Sequence, residues 1–141
     1  MADEADKARQ ELAASLEGRT DEEIVKGVEA QGVDTVLTRI FDGMAQAFLP
    51  DKAGAQSAVI QYDVTAAGKT HTYQLKCGSG TCEAVAGAAG PARVTLTLSL
   101  PDFLRLVSGK LNGMQAFMAG KLKLGGDMMF AQVMQGWFRQ A

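Results

Sequence analysis

The first third of the chain carries apolar residues at the spacing of amphipathic helices. From Val33 to Phe48 they recur every three or four positions, which places them on one face of a helix. Upstream, Thr20 and Glu23 have the spacing of a capping box and predict the start of a shorter helix. Gly32 lies between the two patterns, so we predict two helices that are separated at this glycine.

The middle of the chain changes to the alternating pattern of β-strands. Apolar and polar residues alternate in 58–65, 70–77 and 93–99, and glycine-containing turns separate these segments. Strands with one apolar and one polar face favour an antiparallel sheet. The pattern also predicts that one set of residues is substantially more exposed than the other, namely Thr72, Gln74, Thr95 and Thr97 compared with Tyr73, Leu75, Leu96 and Leu98.

The last third of the chain returns to short helical patterns around one further strand. We predict four strands in the middle of the chain, and Leu122 and Leu124 suggest a short fifth strand. Asp127 is a suitable N-cap for a final helix. A sheet with a single apolar face needs only one layer of helices, so these elements predict an α+β, two-layer domain. Residues 1–19 contain few large apolar side chains. We predict that they form a mobile or loosely attached segment before a single domain that spans 20–141.

Composition limits the classes of function that the chain can have. Its 141 residues are 47% hydrophobic, which is enough for one domain with a core and an internal cavity. No apolar run approaches the ~18–20 residues of a membrane-spanning helix, and the acidic N-terminus lacks the hydrophobic segment of a signal peptide. We therefore expect a soluble intracellular protein. The net charge of −2, with no aromatic residues interleaved among the basic ones, argues against nucleic-acid binding.

The chain offers few residues for catalysis or metal binding. Its single histidine, His71, has no serine or aspartate partner that the sequence identifies, so we interpret it as structural. Cys77 and Cys82 are too few for a zinc site without more histidines. If 78–81 form a turn, these thiols face each other across a hairpin, either as buried free thiols or as a disulfide. The sequence predicts no catalytic residue, metal site or cofactor.

Several short motifs follow one another between Pro101 and Trp137. They are Asp102-Phe103-Leu104, Ser108-Gly109-Lys110-Leu111-Asn112, Gln115-Ala116-Phe117 and Gly120-Lys121-Leu122-Lys123, with Gly125 and Gly126 after them. In this order they resemble the signature half of the sterol carrier protein type 2 family, and a looser resemblance extends from about Val33 to Phe138. The resemblance implies a five-stranded, largely antiparallel sheet covered on one face by helices. It also implies an apolar tunnel between the two layers that holds one lipid.

The resemblance implies that the segment from Pro101 to Trp137, which we call the C-terminal segment, lines this tunnel. All but two of the 7 methionines lie in this segment, beside the only tryptophan. Methionine adapts to irregular apolar shapes, although it also fills gaps in an ordinary packed core. The implied lipid-binding residues are Phe103, Leu104, Val107, Met114, Gln115, Phe117, Met118, Leu122, Leu124, Met128, Met129, Val133 and Trp137.

Charge is distributed unevenly along the chain. Residues 1–34 are rich in acids, whereas bases predominate from Arg93 onward. This pattern describes either two solvated faces or a group of cations near the tunnel that attracts anionic lipid head groups or an anionic membrane surface. The candidate polar and cationic groups near the tunnel mouth are Asn112, Gln115, Lys110, Lys121 and Lys123.

The resemblance predicts a non-catalytic lipid-binding or lipid-transfer protein. Its implied ligand is a fatty acid, a fatty acyl-CoA, a sterol or a similar lipid. The alternative is an accessory subunit that presents a quinone- or polyketide-like intermediate to a partner enzyme, with the acidic helix of 20–30 as the docking surface. The chain ends in Arg139-Gln140-Ala141 and lacks a Ser-Lys-Leu-type peroxisomal signal, so we expect a stand-alone cytoplasmic member of the family.

Overall fold

The two predicted N-terminal helices begin and end where the sequence provides caps. A computed structural model describes residues 10–11, 14–66, 68–87, 90–108, 110–111, 113–133 and 137 of the chain. Helix α1 (Asp21–Gln31) begins after Thr20, whose hydroxyl accepts a hydrogen bond from the Glu23 amide at 3.2 Å. The Thr20 amide in turn donates to the Glu23 carboxylate at 3.0 Å, which confirms the predicted capping box. Helix α2 (Val33–Gln46) follows directly after Gly32, where φ is +98°.

Five strands form one mixed sheet. They are β1 (Ala58–Ala66), β2 (Lys69–Gly78), β3 (Thr81–Ala86), β4 (Val94–Ser99) and β5 (Leu122–Gly126). The strand order across the sheet is β3-β2-β1-β4-β5. Only β1 and β4 pair in parallel, and the other three pairs of neighbours are antiparallel. The predicted five-stranded, largely antiparallel sheet is therefore confirmed.

Four further short helices follow along the chain. They are α3 (Pro50–Ala53), α4 (Leu100–Val107), α5 (Gly113–Met118) and α6 (Met128–Val133). Helix α2 packs on β2 and β3, α4 packs on β1 and β4, and α1 packs against both of these helices. Helix α5 packs on β5, and α6 packs on β4 and β5. The arrangement confirms the predicted α+β class.

An aromatic cluster joins the helices to the apolar face of the sheet. The ring of Phe41 on α2 stacks on Tyr73 of β2 with 4.6 Å between ring centroids, and on Phe103 of α4 with 5.0 Å. Tyr62 of β1 lies 5.3 Å from the same ring. Stacked and tilted aromatic pairs contribute beyond the area that they bury. Phe41 therefore connects α2, α4 and two central strands in one packed unit.

The polar face of the sheet is more covered than the alternation predicts. Thr72, Thr95 and Thr97 are half-buried while their apolar neighbours are buried, as expected, but Gln74 is 0% exposed. Its amide nitrogen donates to the Gly90 carbonyl at 2.8 Å and to the Gln61 side chain at 2.9 Å. Because β4 lies beyond β1, the chain between β3 and β4 must cross β2 and β1, and it covers Gln74. The prediction for Gln74 was wrong because alternation carries no information about this crossing.

The segment before the capping box makes at least one core contact. Leu16 is buried among the core residues, whereas 1–9 and 12–13 lie outside the described residues, so the loose attachment of 1–19 stays a prediction. None of the described helices is long and apolar enough to cross a membrane.

Candidate functional site

Six large apolar side chains of the C-terminal segment lie on the surface of the molecule. They are Met114 at 50% exposure, Phe117 at 40%, Met118 at 79%, Met128 at 42%, Met129 at 81% and Val133 at 52%. We call this set the methionine surface. It belongs to α5 and α6, which both pack on β5. Large apolar side chains that stay exposed are the residues from which an apolar binding patch is built.

The other predicted lipid-binding residues are less exposed or polar. Phe103, Leu104, Leu122 and Trp137 are buried in the core, while Val107 and Leu124 are half-buried. Gln115 is exposed on α5. Asn112, which we predicted near a tunnel mouth, lies outside the described residues. All thirteen predicted lining residues are described. We call the six exposed apolar residues the exposed layer and the six buried or half-buried ones the buried layer, and Gln115 belongs to neither. The tunnel itself stays a prediction.

Trp137 occupies the buried layer between two other aromatic rings. Its ring meets Phe130 edge to face with 5.0 Å between centroids, and it lies 6.2 Å from Phe48. Its backbone carbonyl accepts a hydrogen bond from the Leu49 amide at 2.6 Å. The indole Nε1 is buried and has no hydrogen-bond partner among the described residues.

Asp127 determines how the chain turns from β5 into α6. Its carboxylate accepts a hydrogen bond from the Phe130 amide at 2.9 Å, which confirms the predicted N-cap. Arg93 donates to the same carboxylate at 3.1 Å and lies over the Phe130 ring at 4.1 Å. The Phe130 amide and the Arg93 guanidinium together hold the pKa of Asp127 below its ordinary value. These contacts fix the start of the helix that carries Met128 and Met129.

The described basic residues from Arg93 onward divide into two groups. Arg93 pairs with Asp127, and Arg105 pairs with Asp21 of α1 at 2.6 Å and with Asp102 at 3.2 Å. These two cations hold elements of the fold together. Within the part of the chain that the structure describes, the three candidate head-group cations make no ion pair, and all are exposed; they are Lys110, Lys121 and Lys123.

His71 has a carboxylate partner that sequence reasoning missed. Its Nδ1 lies 3.1 Å from the carboxylate of Asp34 on α2. The two residues are 37 positions apart in the chain, and they meet because α2 packs on β2. Clefts of about 440 and 420 Å³ flank this pair. Threonines and Tyr73 contribute hydroxyl groups to the clefts, and the described lining residues include no serine or cysteine. The pair links α2 to the sheet.

Comparison with known proteins identifies the family. A model described as the SCP-2 sterol transfer family matches residues 37–139. The chain belongs to this family. The match begins within α2 and includes the whole sheet and the methionine surface. It confirms the family that the C-terminal motifs predicted, and this is a family of lipid-binding and lipid-transfer domains.

Named relatives differ in how much of their own length the chain covers. The oleate-induced peroxisomal protein POX18 of Candida maltosa is 35% identical over 100 residues, which are 65% of this chain and 79% of that protein. The peroxisomal multifunctional enzyme type 2 of Mus musculus is 40% identical over 83 residues, which are 56% of this chain. The chain spans only 11% of that enzyme. The family therefore includes short proteins and domains of much longer enzymes.

Solved structures agree with the fold. The crystal structure of sterol carrier protein 2 like 2 from Aedes aegypti aligns with 73% of this chain and 93% of its own, with a TM-score of 0.59. Sequence identity is 23%, so this likeness concerns the fold alone.

Proposed function

We propose that this chain is a non-catalytic domain that binds one apolar lipid and transfers it between membranes or to a partner. The observation that carries the proposal is the methionine surface, which lies in the part of the chain that matches a sterol transfer family. The ligand class is a fatty acid, a fatty acyl-CoA, a sterol or a similar lipid. Relatives include a protein named fatty acid-binding protein and one named sterol carrier protein 2, which supports this class.

The proposed site lies between the exposed and the buried apolar layers around β5. An acyl chain that enters between them removes apolar surface of both ligand and protein from water, at roughly 25 cal/mol per Å². Four of the six side chains of the methionine surface are methionines, whose flexible side chains can repack around ligands of different shape. The site therefore needs few directed polar contacts.

Polar groups at the same site orient the ligand in the proposal. Trp137 Nε1 is a buried donor that a hydroxyl of a sterol-like ligand would satisfy. Gln115 on α5 is exposed beside the methionine surface, and Lys121 and Lys123 flank the start of β5. A fatty acid or an acyl-CoA would place its anionic group toward these lysines.

Lipid entry should change the fluorescence of Trp137. A ligand that displaces or contacts the buried layer alters the surroundings of the only indole in the chain. We expect a saturable change in emission at about one ligand per chain when a long-chain fatty acid is titrated. Native mass spectrometry of the purified protein measures the stoichiometry independently. Absence of a bound lipid in both measurements would contradict the proposed function.

The proposal includes transient contact of the methionine surface with an anionic membrane. Exposed apolar side chains insert at the head-group boundary, and each nearby lysine contributes about 1 kcal/mol of attraction to an anionic leaflet. Reversal of two charges in Lys121→Glu/Lys123→Glu should therefore weaken binding to phosphatidylserine-containing vesicles at least tenfold, or about 1.4 kcal/mol.

A matched control separates this contact from a general effect of charge. Lys26→Glu/Lys52→Glu makes the same charge change at exposed positions of α1 and α3. Vesicle sedimentation at constant ionic strength measures the membrane binding of both variants. Equal loss of binding in the two variants would show that only net charge matters and that the methionine surface does not face the membrane.

The second candidate function is presentation of a lipid intermediate to an enzyme. It is favoured by the relative in which the matched segment is 11% of a multifunctional enzyme. Helix α1 exposes Glu22, Glu23 and Glu29 and is the proposed docking surface. Co-purification of an enzyme with this chain, and its loss when the charges on α1 are reversed, would support this function. The names of two relatives describe them as peroxisomal. A cytoplasmic location of this chain is therefore part of the proposal.

A further inference from the structure

The hairpin of β2 and β3 brings the two cysteines of the chain together. Cys77 and Cys82 are directly opposite in the antiparallel register, and their sulfur atoms lie 2.8 Å apart as free thiols. Between their strands, Ser79 and Gly80 both have positive φ, of 53° and 79°, which is the pattern of a type I′ turn.

The turn also determines the kind of strand pair that the cysteines form. In a hairpin with a two-residue turn, Gly78 and Thr81 form the hydrogen-bonded pair next to the turn, so Cys77 and Cys82 form the next, non-hydrogen-bonded pair. The Cα atoms of such a pair are about 4.5 Å apart, within the range that a disulfide bridges. The backbone is thus already arranged for a bond between the two sulfurs.

The two thiols differ in environment. Cys77 is buried on the apolar face of the sheet, whereas Cys82 on the edge strand β3 is partly exposed. The hydrogen bond between the thiols lowers the pKa of Cys82 and raises that of Cys77, and burial raises the pKa of Cys77 further. Cys82 is therefore the accessible group that ionises first, and Cys77 is the protected group beside it.

We propose that Cys77 and Cys82 form a reversible oxidation site that peroxides convert to an intramolecular disulfide. The Cys82 thiolate attacks one peroxide oxygen, the O–O bond breaks, and Cys82 becomes a sulfenic acid while hydroxide or alkoxide leaves. The sulfur of Cys77 then attacks Cys82 Sγ, the S–O bond breaks, and the oxygen leaves as water with the Cys77 proton. The two thiols lose two electrons in total, and the peroxide gains them. A small dithiol reverses the reaction by exchange.

This oxidation site is independent of the proposed lipid site. Strands β3 and β5 are at opposite edges of the sheet, separated by three strands. Helix α2, which packs on β3, does not carry the methionine surface. Failure of lipid binding would therefore leave the oxidation proposal intact, and the reverse also holds.

The test uses the full chain, hydrogen peroxide at low molar excess, and alkylation of remaining thiols before intact mass measurement. We expect the wild-type mass to fall by two hydrogen atoms, no alkylation of the oxidised form, and full recovery with dithiothreitol. Two alkylatable thiols after peroxide treatment, or dimers linked between chains as the only product, would overturn the proposal.

Single variants test the separate roles of the two thiols. Cys77→Ser should accumulate the sulfenic acid on Cys82, which dimedone traps as a mass adduct. Cys82→Ser should leave Cys77 at least tenfold slower to oxidise than wild-type Cys82, because Cys77 is buried. Equal oxidation rates in Cys82→Ser and wild type would exclude the assigned roles. Circular dichroism of both variants verifies the fold, and the wild-type mass change tests the site without any substitution.

Discussion

Gly126→Ala should destabilise the domain by about 3 kcal/mol, a fall in Tm of roughly 10 °C. Gly126 has φ of +88°, which is strained for residues with a side chain. A Cβ at this position would lie 2.5 Å from the Arg93 carbonyl oxygen. That carbonyl accepts a hydrogen bond from the Asp127 amide at 2.9 Å, so it cannot move without disturbing the start of α6.

Gly125→Ala is the matched control, because the neighbouring glycine lacks both constraints. A Cβ at Gly125 meets nothing within 4 Å, and its φ is not positive. We expect its free energy of unfolding to change by less than about 0.5 kcal/mol. Thermal and urea unfolding of the two variants measure the difference. Equal stability of the two variants would mean that β4 and the β5–α6 turn adjust freely, contrary to the close approach seen at Gly126.

The local features of the fold were predictable because their causes lie within a few residues. The capping box at Thr20, the break at Gly32 and the N-cap at Asp127 each depend on one or two residues and the adjacent turn of backbone. The alternating segments likewise predicted strands, since successive side chains of a strand point to opposite faces of the sheet. These predictions needed no knowledge of how the elements pack.

Contacts between distant parts of the chain were not predictable from the same patterns. The parallel pairing of β1 with β4 makes the chain cross the sheet, and this crossing buries Gln74. The His71–Asp34 pair and the Arg105–Asp21 pair join residues 37 and 84 positions apart. Periodicity gives the face on which a side chain lies but does not give the element that covers it.

The candidate site shows the same division. The C-terminal motifs predicted the family, which the match to residues 37–139 confirms. The apolar residues that follow Asp127 in the sequence do not by themselves show which side chains pack in the core and which stay exposed. The structure buries Phe130 and Trp137 and exposes Met128 and Met129 of the same segment. Only packing against β4, β5 and Phe48 separates these two groups.

Met129→Trp should weaken the affinity for long-chain fatty acids at least tenfold, or about 1.4 kcal/mol, without unfolding the domain. Met129 is 81% exposed on α6, so a larger side chain is tolerated there in the free protein. If the acyl chain enters beneath this side chain, a flexible methionine can move aside for it, whereas a rigid indole occupies the space that the acyl chain needs. Isothermal titration measures the affinity, and thermal unfolding verifies the fold.

Two further variants determine whether the effect belongs to the site. Gln46→Trp adds an indole at an exposed position of α2 and should bind fatty acid normally. Met129→Ala should cost about 1 kcal/mol of stability or less, whereas truncation of a methionine in a packed core costs roughly 2–5 kcal/mol. If Met129→Ala unfolds the domain and Met129→Trp binds normally, Met129 belongs to the core and not to the lipid site. The lining would then have to centre on Met114, Met118 and Met128, which are the other described methionines of the methionine surface.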